Sequence, residues 1–264
     1  MEQETKLRDR PQVGVFATCL VDLIRPVVGF ATVRLLERAG CEVSVPASQT
    51  CCGQPAYNSG DNVSAIAIAR KVITTFESFD YVVVPSGSCS GTLKKHYPEM
   101  FATDPKWAPR AENLSKKTYE LTQFLVDVMR ISEVNASWRT TVTYHDSCSG
   151  LRELGIKSQP RALLRSVKGL TLSEAVEAES CCGFGGLFCV KYGDISNEIV
   201  GRKVADICQA DADMVLGTDL GCLMNIAGKL KRQGSYIEVR HVAEILADLH
   251  DHPAIASPDC TGDA

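Results

Sequence analysis

Cys181-Cys182-Gly183-Phe184-Gly185-Gly186 has a partner earlier in the chain, Cys51-Cys52-Gly53-Gln54-Pro55. Two adjacent cysteines followed by glycine are unusual once; here they occur twice. Measured outward from each pair, the chain reads C-x31-CCG-x35-C from Cys19 to Cys89 and C-x32-CCG-x38-C from Cys148 to Cys222. Eight of the twelve cysteines fall into these two copies of one pattern. Four thiols converging twice is the signature of a duplicated metal or cluster site, and the remaining sequence reads as its scaffold.

The length of 264 residues allows one large domain or two ordinary ones. Apolar residues make up 45% and charged residues 23%, the balance of a globular protein with a real core. A net charge of −4 with no basic patch argues against a nucleic-acid partner. No window approaches the roughly 18 uninterrupted apolar residues of a transmembrane segment, and the polar start Met1-Glu2-Gln3-Glu4 lacks a signal peptide's apolar run. The expected compartment is the reducing cytoplasm, where clustered cysteines bind metal or do chemistry more often than they form disulfides.

Periodicity supplies the frame around the cysteines. Short apolar runs predict strands at 13–17, 41–46, 81–84, 141–145, 170–175 and 214–217, and helical spacing predicts helices over 27–39, 63–76, 160–167 and 195–210. Residues 116–130 and 237–246 each offer a short strand followed by an amphipathic helix. Residues 1–11 read as a loose arm and 251–264 as a frayed tail. Strands alternating with helices in the same order twice predict an α/β fold. It consists of two pseudo-symmetric Rossmann-like halves, each with a parallel sheet and a Cys…Cys-Cys-Gly…Cys site, over 12–135 and 136–250. The linker is expected at 101–117 or 131–139. Every repeated cysteine follows a predicted strand, the side of a parallel sheet where ligands bind.

Thiolates are soft ligands that suit zinc and iron–sulfur clusters. The C-x2-4-C knuckles of structural zinc and the closely spaced ferredoxin run are both missing. Each candidate ligand set, Cys19, Cys51, Cys52 and Cys89 or Cys148, Cys181, Cys182 and Cys222, comes instead from three separated loops. Adjacent side chains on an extended backbone diverge, so each pair needs a tight turn, which the glycine permits, or a cluster large enough to meet both. Cys41 and Cys208 read as small apolar fillers, Cys260 as incidental, and Cys189 as core packing rather than a ligand.

These segments, with Pro85-Ser86-Gly87-Ser88-Cys89, Tyr144-His145-Asp146-Ser147-Cys148 and Cys222-Leu223-Met224-Asn225-Ile226, resemble the Cys-Cys-Gly domain family. That family includes the heterodisulfide reductase B subunit and the iron–sulfur subunit of glycolate oxidase, and the chain is most similar to its lactate-utilisation A branch. The likeness runs from about residue 13 to 248. It implies an iron–sulfur oxidoreductase subunit, NAD-independent, that passes electrons in oxidising L-lactate to pyruvate. It also implies a four-iron cluster, one or two per chain, and two other lactate-utilisation subunits as partners, one of them ferredoxin-like. In the wider family each half ends in C-x-x-C; here the earlier position is Ser86 in one half and Asp219 in the other. Either could offer oxygen to iron, against the preference of a soft site.

The halves differ three residues before their first cysteine, where the first has Phe16 and the second has His145. His145 is a candidate base for the hydroxyl of a 2-hydroxy acid. Arg25 and Arg152, each shortly after a repeat cysteine, are candidate forks for its carboxylate. Competing readings are a scaffold with zinc at one or both sites, and a thiol–disulfide enzyme working through the vicinal pairs.

Overall fold

Alternation along the central strands decides how the chain layers. The computed structural model describes residues 10–257. Val13 and Val15 of β1 (Gln12–Val15), with Val83 of β3 (Tyr81–Val84), join the larger hydrophobic core, while Val82 and Val84 turn to a second core with Phe16 and Phe76. A strand buried on both faces is the mark of a parallel sheet covered by helices. With β2 (Glu42–Ser44) and β4 (Thr118–Glu120) it forms a sheet of order β2-β1-β3-β4, all parallel. The second sheet repeats this as β6-β5-β7-β8, from β5 (Ser137–Tyr144), β6 (Lys168–Leu172), β7 (Met214–Gly217) and β8 (Glu238–His241). The expected α/β fold of two similar halves is what the chain adopts.

Helices Pro26–Arg38 and Asn62–Phe76 of the first half, and Ser158–Arg165 and Gly193–Gln209 of the second, form where helical spacing predicted them. The larger core crosses the pseudo-symmetry boundary. Val28 and Leu35 share it with Val142, Leu163 and Leu246, and helix Pro26–Arg38 packs on helix Val242–Leu246.

Three expectations need correction. Of the two stretches expected as linker, 101–117 is largely a helix, Ala108–Lys117, with Ala111 and Leu114 buried, whereas 131–136 runs without helix or strand up to β5. Pro109 fits there because in a helix's first turn its missing N–H costs nothing. Residues 251–257 are not frayed: Ala254 is buried, Ile255 N–H donates to Val239 O (2.8 Å), and the His252 carbonyl accepts from Arg240. Cys208 is exposed rather than a core filler. The buried stripe of its helix runs through Ser196, Val200, Lys203, Val204 and Ile207, and Cys208 falls off it. Residues 1–9 of the expected arm, and Cys260, lie outside the described residues. Among the described residues no helix is long and apolar enough to cross a membrane.

Candidate metal centres

Each cysteine pair is shaped by the glycine after it. Gly53 (φ 80°) and Gly183 (φ 78°) sit in the left-handed region that side chains avoid. The turn swings the glycine N–H back onto the first sulfur of the pair, at 3.4 Å for Gly53 to Cys51 and 3.3 Å for Gly183 to Cys181. There is little room for anything larger: a Cβ at Gly183 would lie 2.7 Å from Ser196 O, and one at Gly53 would lie 3.3 Å from the Ile68 side chain.

The flanking cysteines close on these pairs from neighbouring strand ends. In the first half Cys52 Sγ lies 3.4 Å from Cys89 Sγ, and Cys51 sits between Cys19 and Cys52 as a shared acceptor. Cys181 likewise sits between Cys148 and Cys182, and Cys182 meets Cys222. The structure thus gathers all eight predicted cysteines into two quartets. Within each, thiol donation from the flanking cysteine, then from its pair-mate, holds Cys51 and Cys181 far below the usual thiol range. Cys19 and Cys148, which give those hydrogen bonds, are pushed up. A thiolate poised among neutral thiols is a nascent soft-metal site, since metal binding replaces the shared protons. Cys189 joins neither quartet; its thiol donates to Gly186 O at 3.3 Å.

Ser86 and Asp219, the two positions lacking a cysteine, meet each other across the halves. Asp219 Oδ1 accepts from Ser86 Oγ (2.7 Å) and Ser88 Oγ (2.6 Å), and its carboxylate also takes Ser88 N–H at 3.1 Å. Both oxygens are spent on this clamp rather than aimed at the sulfurs. The contact is close because Gly87 is bare: a Cβ there would lie 2.8 Å from Ser147 Oγ and 3.0 Å from Asp219 Oδ2.

The predicted substrate residues fare unequally. Arg25 does not offer a free fork. Its Nε and Nη2 bind Glu244 at 2.8 and 2.7 Å, and Nη2 also reaches Pro253 O, so the guanidinium ties the halves together instead. Arg152 is exposed, and its charge acts on Cys148, lowering that thiol's pKa against the stronger upward effects. Among the described residues it makes no side-chain hydrogen bond. His145 is 2% exposed, and neither ring nitrogen has a hydrogen-bond partner among the described residues. Burial, aided by Lys203, holds its pKa down at about 3. A base must reach its proton, so the role of base toward a lactate hydroxyl gives way to one inside the protein.

Sequence reasoning missed the outer ring of the second site. Lys203, 2% exposed, donates Nζ to Glu177 O (2.6 Å) and Ala178 O (3.0 Å), pinning the approach to Cys181. Asp146 forms a bidentate pair with Arg161, both bonds 2.8 Å, and Arg161 also binds Glu174. Asp146, Arg161 and Glu174 line a cavity of about 400 Å³ with Lys157, Glu177 and Glu179. A charged residue inside an apolar helix stripe, as at Lys203, was the available signal.

Sulfur quartets at the strand ends of a duplicated parallel fold define a cysteine-rich class of protein whose donors suit a soft metal. The cysteine-rich domain family, CCG, matches this chain twice, over residues 13–94 and 142–227. A lactate utilization protein A from Geobacillus sp. is 52% identical, and one from Bacillus cytotoxicus 50% identical, each over 89% of this chain and 98% of the relative. The chain belongs to the lactate utilization protein A family of cysteine-rich domain proteins. Among solved structures, a putative Asp/Glu racemase from Yersinia pestis is similar at a TM-score of 0.34 and 10% identity, covering 90% of this chain and 96% of that one. A likeness that low carries no argument.

Proposed function

We propose that this chain is an iron–sulfur electron-transfer subunit of an L-lactate-oxidising assembly. The observation that carries the reading is the pair of sulfur quartets. Eight thiols from six loops converge on two sites of matching build, in a chain whose relatives are named for lactate utilisation. The donor set fits iron–sulfur chemistry: it is all thiol, one member of each quartet is already acidic, and the αL glycines bring adjacent sulfurs to one side. Cys19, Cys51, Cys52 and Cys89 would hold one cluster and Cys148, Cys181, Cys182 and Cys222 the other. A bound cluster supplies one-electron acceptance. The chain's own part is to hold it, to limit its contact with water and to tune it through nearby charge.

Arg152 is the residue proposed to meet a substrate carboxylate, because it is exposed beside Cys148 with an uncommitted fork. The letter A in the relatives' names implies companion proteins, and two partners, one ferredoxin-like, would complete the route for electrons. The assembly would work without NAD, in the cytoplasm.

Anaerobic purification followed by iron, acid-labile sulfide and zinc analysis tests the reading. Brown protein with iron and sulfide in equal amounts is expected. Colourless protein carrying zinc would favour a scaffold instead, and metal-free protein with oxidised Cys51-Cys52 or Cys181-Cys182 would favour thiol–disulfide exchange.

A further inference from the structure

We infer that His145 is a metal ligand of the second site, giving that site a nitrogen donor that the first one lacks. The inference rests on the cluster reading above but concerns one residue that reading does not use. A ring nitrogen of His145, Cys182 Sγ and Cys222 Sγ all lie within 4.8 Å of one another. Metal–sulfur bonds of about 2.3 Å and metal–nitrogen bonds of about 2.0–2.1 Å put neighbouring tetrahedral donors roughly 3.5–4 Å apart. A single metal ion can therefore touch all three with small side-chain movements.

The imidazole has no other employment. A buried polar atom without a partner costs on the order of 1–3 kcal/mol, and here both ring nitrogens are buried without one. Nor is the side chain loosely placed. The backbone N–H of His145 is tied to Leu216 O at 2.8 Å, and the Asp146 side chain next to it in the chain is locked by Arg161. The scaffold thus aims the ring at the sulfurs, and a metal would take up the lone pair that nothing else accepts.

The first half supplies a natural control. Phe16 occupies the matching place, fully buried, with its ring 5.6 Å from that of Phe76. A hydrocarbon satisfies packing at that position, so packing does not require histidine at the other. The carboxylate that might have served the second site, Asp219, is committed to Ser86 and Ser88. A fifth donor that is imidazole completes the second site without adding the negative charge that a fifth thiolate would bring.

The test uses the full chain purified anaerobically, with histidine labelled by ¹⁵N. After partial reduction, pulsed EPR of the iron signal should show strong coupling to a directly bound nitrogen that changes with the isotope. The coupling should vanish in His145→Phe and in His145→Cys, the latter keeping full iron. Iron-replete wild-type protein without such coupling would overturn the ligand assignment and leave the cluster reading standing. A weak coupling typical of an N–H···S contact would overturn it as well. If the wild type holds no iron at all, the cluster reading fails by itself, and Co²⁺ titration of the metal-free chain still decides on His145. His145→Phe should then weaken Co²⁺ binding at one of two sites by at least about tenfold, given that even outer-shell losses cost about 10–100-fold; unchanged binding would overturn the assignment.

Discussion

Around the first sulfur quartet the chain packs hydrocarbon; around the second it packs charge. Gly53 looks onto Ala65 O and Ile68, and Gly183 onto Ser196 O and Ile199, so helices Asn62–Phe76 and Gly193–Gln209 superpose with Val72 at the place of Lys203. Phe16 faces His145 in the same comparison. Tyr97 Oη donates to Cys52 O at 2.9 Å, and Asn225 Nδ2 does the same for Cys182 O at 2.8 Å. Cys51 is half-buried, whereas Cys181 is exposed. The donors are alike and the surroundings are not. Surroundings set potential and access, so two sites with alike donors differ in the charge and exposure around them.

The largest effect expected from breaking this comparison is loss of a cluster. Cys182→Ser should remove the second half's iron and stop lactate-dependent growth, because a hard, poorly ionised oxygen replaces a soft thiolate. Cys52→Ser should remove only the first half's share. Iron analysis of the pair reads the result, and full iron in either variant would strike that cysteine from the ligands.

Next come the glycines. Gly53→Ala carries the left-handed penalty of about 1–2 kcal/mol and a soft contact with Ile68. Gly183→Ala adds a collision with the Ser196 carbonyl, 2.7 Å away, and should cost about 3 kcal/mol or more in all. Denaturant unfolding of the metal-free variants measures both. Equal losses would show that the two turns are less different than their neighbours suggest.

A third contrast is read by pH. The helix after β4 is capped by Glu120, whose Oε2 accepts Thr122 N–H (2.8 Å) and Gln123 N–H (3.2 Å). The helix after β8 is capped by His241, whose Nδ1 accepts Ala243 N–H. Burial raises the Glu120 pKa from 4.5 to about 7 and lowers that of His241. For Glu120 the unfolded chain loses its proton first, so its contribution is whole below about pH 4.5 and is lost as pH rises to about 7. For His241 the unfolded chain gains a proton first, so its contribution is whole above 6.5 and falls as pH drops. Glu120→Gln should therefore gain on the wild type by about 1–3 kcal/mol between pH 4.5 and 7. A constant difference between the two curves across that window would refute the assignment.

The smallest effect belongs to Cys208→Ser. An exposed thiol outside both quartets should change stability by less than about 0.5 kcal/mol and leave iron content as it was.

What the sequence made legible was local or repeated. Strands came from short runs of four to six residues, the paired sites from spacing, and the turn at each pair from its glycine. What it hid was made by distant residues. Ser86 and Asp219 are 133 positions apart, and Arg25 and Glu244 are 219 apart. Nothing in the local pattern of either partner announces the other, so an arginine beside a cysteine read as a substrate group when it is a brace. His145 was visible as a break in the repeat, but its burial depends on β7 and helix Gly193–Gln209 closing over it. Cys208 was legible and misread, because it falls off the buried stripe of its helix.

The contact of Asp219 with Ser86 and Ser88 also bears on descent. Duplicated halves begin as interchangeable copies, each free to vary so long as its own fold survives. Here the hydrogen bonds that complete one copy's loop are drawn from the other copy's loop, between Asp219 and Ser86 and Ser88. Gly91 adds to the contact, because a methyl group there would push the Glu153 carboxylate aside. A change at 219 is felt at 86 and 88. The two copies have become a single unit of inheritance, and neither can be traded for a fresh duplicate of its twin.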